Sequence, residues 1–309
     1  MKTSHFSFND SEGIKIYVTK WLPEEQPKAV VQIAHGMAER RGRYKRFGEV
    51  LTRNGFAVYI NDHRGHGETA GNLENLGYIG EGDGFKCMVE DMKELNNVIK
   101  EDYTEIPVFL FGHSMGSFLS QKYISLYGNE LKGVILSGTN GKAGTILNLG
   151  ILIANIEMKK HGSKAKSERL NKLSFGNYNK AFKPNRTEFD WLSSDDKEVD
   201  KYIEDEYCGT VFTTSFYYYF LKGLKDIHTN EVINNINKSL PIYIFGGSKD
   251  PVGNNGKGIV NLYNMYKRNG IRNVKYKVYE NGRHEMLNEV NRTDVMEDIV
   301  KWLNEQLLL

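Results

Sequence analysis

Cysteine is almost absent from this chain: Cys87 and Cys208 are the only two in 309 residues. They stand far apart and in no ligand spacing, which excludes a disulfide framework and a cysteine metal cluster. A reduced, cytoplasmic setting is the expectation. A surplus of charge of one sign is missing too. The formal net charge is +2, the lysines are scattered, and no basic stripe carries interleaved aromatics. Nucleic acid is therefore not an expected partner. Long hydrophobic runs are lacking. The N-terminus has one lysine but no apolar stretch after it, unlike a secretory signal. The most apolar stretch, residues 145–156, is too short to span a bilayer and contains Asn148 and Asn155. Internal repeats and low-complexity segments do not occur. What remains is a globular composition on a chain long enough to bury a large core.

The pattern that is present is an alternation of strands and helices. Phe6 and Phe8 alternate with polar residues, residues 9–13 turn, and Ile14 to Trp21 alternate again, which predicts a hairpin. Strands are predicted at 29–34, 56–60, 108–111 and 133–137, with helices at 43–54, 85–101 and 115–127 between them. The rhythm returns near residue 240, with strands at 241–245 and 274–279 and helices at 258–268 and 293–308. Such alternation predicts a mostly parallel sheet with helices on both faces. Between the two blocks, from about 140 to 228, the rhythm breaks into a segment rich in Lys, Asn, Ser and aromatics. An insertion there, at the carboxyl edge of a parallel sheet, sits over the ligand crevice.

Against this background one pentapeptide stands out, Gly112-His-Ser-Met-Gly116. Taken alone it also reads as a tight turn with an idle serine. It lies, however, between a predicted strand and a predicted helix, the context of a nucleophile elbow. A serine hydroxyl needs an imidazole to take its proton, and the imidazole needs a carboxylate to fix its tautomer. Asp250 follows the strand at 241–245, and His284 follows the next strand. Ser114, Asp250, His284 is the chain order that an elbow hydrolase requires. Asp226 and His228 fall before the strand at 241 and fit worse, and His113 is expected to shape the elbow. The oxyanion donors are then the backbone N–H of Met115, after the nucleophile, and that of Met37, on the loop after an early strand. The loop Asn61-Asp-His-Arg-Gly-His-Gly67 offers several metal-ligand side chains, but no second ligand cluster accompanies it. A structural turn is the preferred reading, with no metal.

Together, His35-Gly-Met-Ala-Glu39, Asp62-His-Arg-Gly-His-Gly67, Gly112-His-Ser-Met-Gly116, Lys249-Asp-Pro251 and Arg283-His-Glu285 resemble the monoacylglycerol lipase and lysophospholipase branch of the α/β-hydrolases. That branch also contains serine aminopeptidases. Ala38 and Arg40 depart from the glycine and histidine common at those positions. The resemblance implies an α/β-hydrolase fold, a Ser114–His284–Asp250 triad, an oxyanion hole from Met37 and Met115, and no cofactor. It also implies a cap over an acyl pocket. The expected division is a core formed by residues 1–139 and 229–309 with a helical cap at 140–228. Leu147, Ile151 and Leu152 are the candidate acyl-lining residues of that cap. The expected substrate is a small lipid ester, met in solution or at a transient membrane or micelle contact through the cap. Two rivals stay open: an aminopeptidase of the proline iminopeptidase kind, and a binding protein without turnover. The first needs carboxylates to grip an amino group, and Asp195, Asp196, Glu204, Asp205 and Glu206 are the cap's acidic candidates.

Overall fold

The computed structural model describes residues 1–141 and 144–309. Residues 142 and 143, within the expected insertion, lie outside the described residues. Strands β1 (Lys2–Asn9) and β2 (Lys15–Leu22) form the expected hairpin. Its turn is closed by Asp10, whose Oδ1 accepts the N–H groups of Glu12 and Ile14, each at 2.8 Å. The chain continues through β3 (Ala29–Ala34), α1 (Lys45–Arg53), β4 (Phe56–Asn61), α2 (Gly84–Asp102), β5 (Val108–His113), α3 (Met115–Tyr127) and β6 (Gly133–Ser137). Helices α4 (Ile146–His161), α5 (Glu168–Phe175), α6 (Asp196–Glu204), α7 (Thr214–Asp226) and α8 (Asn230–Asn235) follow. The chain closes with β7 (Ile242–Gly247), α9 (Lys257–Arg268), β8 (Val274–Tyr279) and α10 (Arg292–Leu307). Helix α1 starts two residues later than its spacing predicts, because residues 41–44 wind into a tighter turn.

The eight strands form one sheet in the order β1-β2-β4-β3-β5-β6-β7-β8. Strands β3 to β8 run parallel, and the hairpin adds antiparallel pairing at one edge. After β3 the chain steps to one side for β4, then crosses back for β5 on the other side. The carboxyl ends of β3 and β5 therefore flank a topological switch point, where open parallel sheets bind ligands.

Alternate residues of each strand feed two cores. Val31, Ile33, Phe111 and Phe245 pack with Phe47 and Leu51 of α1 and with Trp302 and Leu303 of α10. Val30, Leu110, Val134 and Ile244 face the other way, toward Met88, Met92, Leu119 and Ile259 of α2, α3 and α9. Each such buried side chain stabilises the fold by roughly 1.5–3 kcal/mol. Gln32 is the polar exception on β3. Its amide donates to the Met92 carbonyl at 2.7 Å and its oxygen accepts from Asn96 at 3.2 Å.

Between β6 and β7 the helices α4 to α7 form a cap, with α4 packed against α7. The stretch 190–195, before α6, is stitched to the core. Arg283 donates to the carbonyls of Asp190 and Ser193, Ser193 Oγ donates to the Asn288 carbonyl, and Ser194 N–H donates to Glu289 Oε1 at 3.0 Å.

Candidate active site

Strand β5 ends at His113 and α3 begins at Met115, so Ser114 alone makes the turn. Its backbone sits at φ 51° and ψ −118°, where a side chain is strained. The turn is held by its neighbours. Ser114 N–H donates to the Ser137 carbonyl of β6 at 2.9 Å, and its own carbonyl accepts from Ser117 N–H at 2.8 Å. A side chain at Gly116 would fall on the Ala34 carbonyl, so only glycine lets α3 lie this close to the end of β3. Met115 is the first residue of α3, and its N–H has no acceptor within the helix.

The loops after β7 and β8 deliver Asp250 and His284 to the same edge. His284 Nδ1 lies 2.9 Å from Asp250 Oδ1, and both side chains are buried. Asp250 Oδ1 also accepts the Val252 N–H at 2.9 Å. With Nδ1 engaged, Nε2 is the nitrogen left to exchange a proton. Burial opposes charge on His284, but the Asp250 charge and hydrogen bond outweigh it and hold the imidazole above its ordinary 6.5. Gly138, at φ 57°, passes beneath the pair of imidazoles; a Cβ there would stand 2.9 Å from His284 and 3.0 Å from His113. Burial, and then the charge of His284, push His113 down to about 4. Any proton this pair binds near neutrality therefore sits on His284.

A pH profile follows from that direction. With His284 as the proposed general base, which works when neutral, kcat/KM is expected to rise with pH through a midpoint above 6.5. Asp250→Asn removes the largest raising charge, so the midpoint should move down from the wild-type position and kcat should fall by about 10⁴. Ester turnover measured from pH 5 to 9 checks both; an acid limb unmoved by Asp250→Asn contradicts the pairing. The linked stability runs the opposite way. It is fully present below 6.5 and is lost as pH rises through the folded value.

On the loop after β3, Met37 lines the cavity in front of Ser114. Glu39 builds this loop: its Oε1 accepts Gly36 N–H at 2.6 Å and the Tyr44 hydroxyl at 2.9 Å. Arg43 then bridges two loops. It donates to Glu39 Oε2 at 2.7 Å and makes two parallel bonds to Glu285, each 2.7 Å. Burial would raise the Glu285 carboxyl, but the charge of Arg43 and the paired bonds hold it well below the usual carboxylate range. No local signal in the sequence marks this bridge.

Ser114, His113 and His284 line one cavity of about 560 Å³. Its walls include Met37, Phe175, Phe189, Leu192, Tyr202 and Val211, with Glu168, Lys172 and Glu188 also among the lining residues. Among the described residues, none of Leu147, Ile151 and Leu152 lines this cavity. Leu152 is 54% exposed, and α4 buries Ala154 and Glu157 instead. The five acidic cap candidates stay outside it as well. Asp195 caps α6 and pairs with Arg292, while Asp205 pairs with Arg40. His35, His63 and His66 are buried together, with ring centroids 4.4 to 6.3 Å apart. Among the described residues no group of three or more His, Cys, Asp or Glu side chains could hold a metal ion.

A serine strained on a strand-to-helix turn, at the switch point of a sheet wound this way and under a helical cap, is the arrangement of the α/β-hydrolases, and this fold is one. The profile of the family described as Serine aminopeptidase, S33 matches residues 25–291, and the chain belongs to that family. A monoacylglycerol lipase of Mycolicibacterium smegmatis (strain ATCC 700084 / mc(2)155) is 35% identical over 135 residues, a match spanning 44% of this chain and 46% of that one. The monoglyceride lipase of Rattus norvegicus is 25% identical over 312 residues, covering 96% of this chain and 89% of its own. Among solved structures, a highly thermostable carboxyl esterase from Bacillus coagulans in complex with glycerol superposes with a TM-score of 0.92. It is 29% identical, with 99% of each chain covered.

Proposed function

We propose that this protein hydrolyses acyl esters of monoacylglycerols or lysophospholipids through an acyl-enzyme. The protein is a carboxylic-ester hydrolase, and its lipase and esterase relatives support that class. Ser114 Oγ attacks the ester carbonyl carbon as its proton passes to His284 Nε2, and the carbonyl electron pair moves onto oxygen. The N–H groups of Met37 and Met115 receive that oxyanion. Collapse breaks the bond to the alcohol, which leaves with the proton from His284. Water, deprotonated by His284, then attacks the acyl carbon; collapse breaks the bond to Ser114 Oγ, which regains the proton from His284 as the fatty acid leaves. The observation that carries the reading is the strained Ser114 in one cavity with a His284 already paired to Asp250. Met37, Phe189, Leu192 and Val211 make the acyl wall.

Ile146, Leu149, Leu152 and Ile156 leave one side of α4 exposed, and Lys159 and Lys160 close the helix. Such a stripe supports contact of the cap with a lipid surface, from which the substrate enters. Among the described residues, no helix is long and apolar enough to cross a membrane.

The test is fatty-acid or amine release from a monoacylglycerol, a lysophospholipid and an aminoacyl amide, by the wild type and Ser114→Ala. Turnover of a lipid ester that Ser114→Ala loses is the expected result and names the head group. Turnover of the amide alone moves the protein to the peptidase class, and silence on all three ends the enzyme reading. Repeating the lipid assay on vesicles with Leu149→Glu/Ile156→Glu tests the surface contact. Loss on vesicles with retention on dispersed substrate is expected, and equal rates exclude it.

A further inference from the structure

His284 is flanked by two rings, and only one belongs to the core. His113 stands 4.8 Å away between ring centroids, and Trp191 of the cap stands 5.1 Å away at 38°. The Trp191 backbone is also fixed in place. Its backbone N–H donates to Asn179 Oδ1 at 2.8 Å, and its carbonyl accepts the His284 backbone N–H at 3.4 Å. The next carbonyl, Leu192, accepts the Glu285 N–H at 2.7 Å. Two consecutive peptide groups of the cap are thus bonded to the loop that carries the base. Phe175 stacks with the indole at 6.3 Å between centroids, and Tyr178 makes an edge-to-face contact with it at 5.0 Å.

An indole ring carries negative charge density over its face and attracts a cation held there. The proposed cycle creates such a cation at His284 when Ser114 gives up its proton. The charged and titratable groups around that ring are Asp250 from the loop after β7, His113 from β5, Glu285 beside it, and Glu39 and Arg43 from the β3–α1 region. The cap adds Tyr178, whose hydroxyl burial and Asp250 push up to about 12, so it stays neutral. Trp191 is the cap residue whose ring contacts this imidazole.

We propose that Trp191 is a positioning residue for His284: it fixes the imidazole from the cap side and favours its protonated form. This rests on the reading of His284 as the base, but its first test does not need turnover. A protonated imidazole in contact with indole quenches its fluorescence. Trp21 and Trp302 are buried in the core on one face of the sheet, so Trp191→Phe isolates the contribution of Trp191.

Emission should therefore fall on acidification with a midpoint above 6.5. The transition should vanish in Trp191→Phe and in His284→Gln, and move down in Asp250→Asn. It should persist in Ser114→Ala, which separates this proposal from failure of the nucleophile assignment. In turnover, Trp191→Leu should move the acid limb of kcat down by about half a pH unit, with kcat falling more than KM changes. Trp191→Phe, which keeps a ring face, should restore most of the loss. An emission transition that survives in Trp191→Phe overturns the proposal, as does an acid limb that Trp191→Leu leaves in place. Should the leucine variant not fold, the emission comparison with the phenylalanine variant still decides.

Discussion

Ser114→Gly is expected to yield a protein that is catalytically silent and more stable than the wild type. The two effects have separate origins. Removal of the hydroxyl eliminates the proposed nucleophile, and kcat falls by about 10⁶ where such a residue acts within a triad. The backbone at φ 51° and ψ −118° suits glycine and penalises a Cβ. Relief of that strain is worth about 2 kcal/mol, and the added freedom of glycine in the unfolded chain returns somewhat under 1 kcal/mol of it. A net gain of about 1 kcal/mol raises Tm by about 2 °C in a chain of this size. Ser114→Ala keeps the Cβ and the strain, so it loses the same activity with Tm unchanged. Calorimetry of the three proteins beside fluorophosphonate labelling checks the pattern. A glycine variant less stable than the alanine variant would show that the elbow is not strained, and labelling that persists in either would remove Ser114 from the mechanism.

What the sequence makes legible here is what is encoded locally or by order along the chain. Gly112-His-Ser-Met-Gly116 sits between a strand and a helix that are each readable from spacing, and the elbow lies where that context puts it. Asp250 and His284 are readable because parallel strands deliver every following loop to one edge. The cap is a different case. An apolar helix such as α4 has the same sequence signature whether it faces a cavity, a neighbour or solvent, and Leu152 turns out exposed. Trp191 lies in the segment without rhythm, and backbone bonds from His284 and Glu285, between positions far apart in the chain, bring it to the imidazole. Ala38 is instructive. The resemblance leads to glycine there, and the structure places Ala38 at φ 58°, a conformation that costs a residue with a Cβ about 1–2 kcal/mol. The departure is one that the fold tolerates at a price in stability. Arg43 was beyond reach, since its partner Glu285 lies 242 positions away.

Arg43→Leu is expected to be the most destabilising single change near the site, and its cost depends on pH. Arg43, Glu39 and Glu285 have side chains only 11%, 5% and 6% exposed. Removing the guanidinium leaves two carboxylates buried without their cation, a loss of about 3–5 kcal/mol near neutral pH. For this chain length that lowers Tm by about 5–8 °C. In the wild type the depressed Glu285 contributes stability that is present above its ordinary 4.5 and lost as pH falls below it. In the variant the sign reverses. Burial without the cation raises the Glu285 carboxyl, the folded state takes up a proton, and the variant recovers stability relative to wild type as pH falls from 8 toward 5. Arg43→Lys does not repair the defect, because an ammonium cannot make the two parallel bonds to Glu285. Activity should fall more than stability predicts, since Glu39 shapes the loop of Met37 and Glu285 adjoins His284. Denaturant titrations of the three proteins at pH 5 and pH 8 provide the check. A leucine variant whose deficit is the same at both pH values would mean that the two carboxylates find another counter-charge, and the bridge between the loops would lose its assigned role.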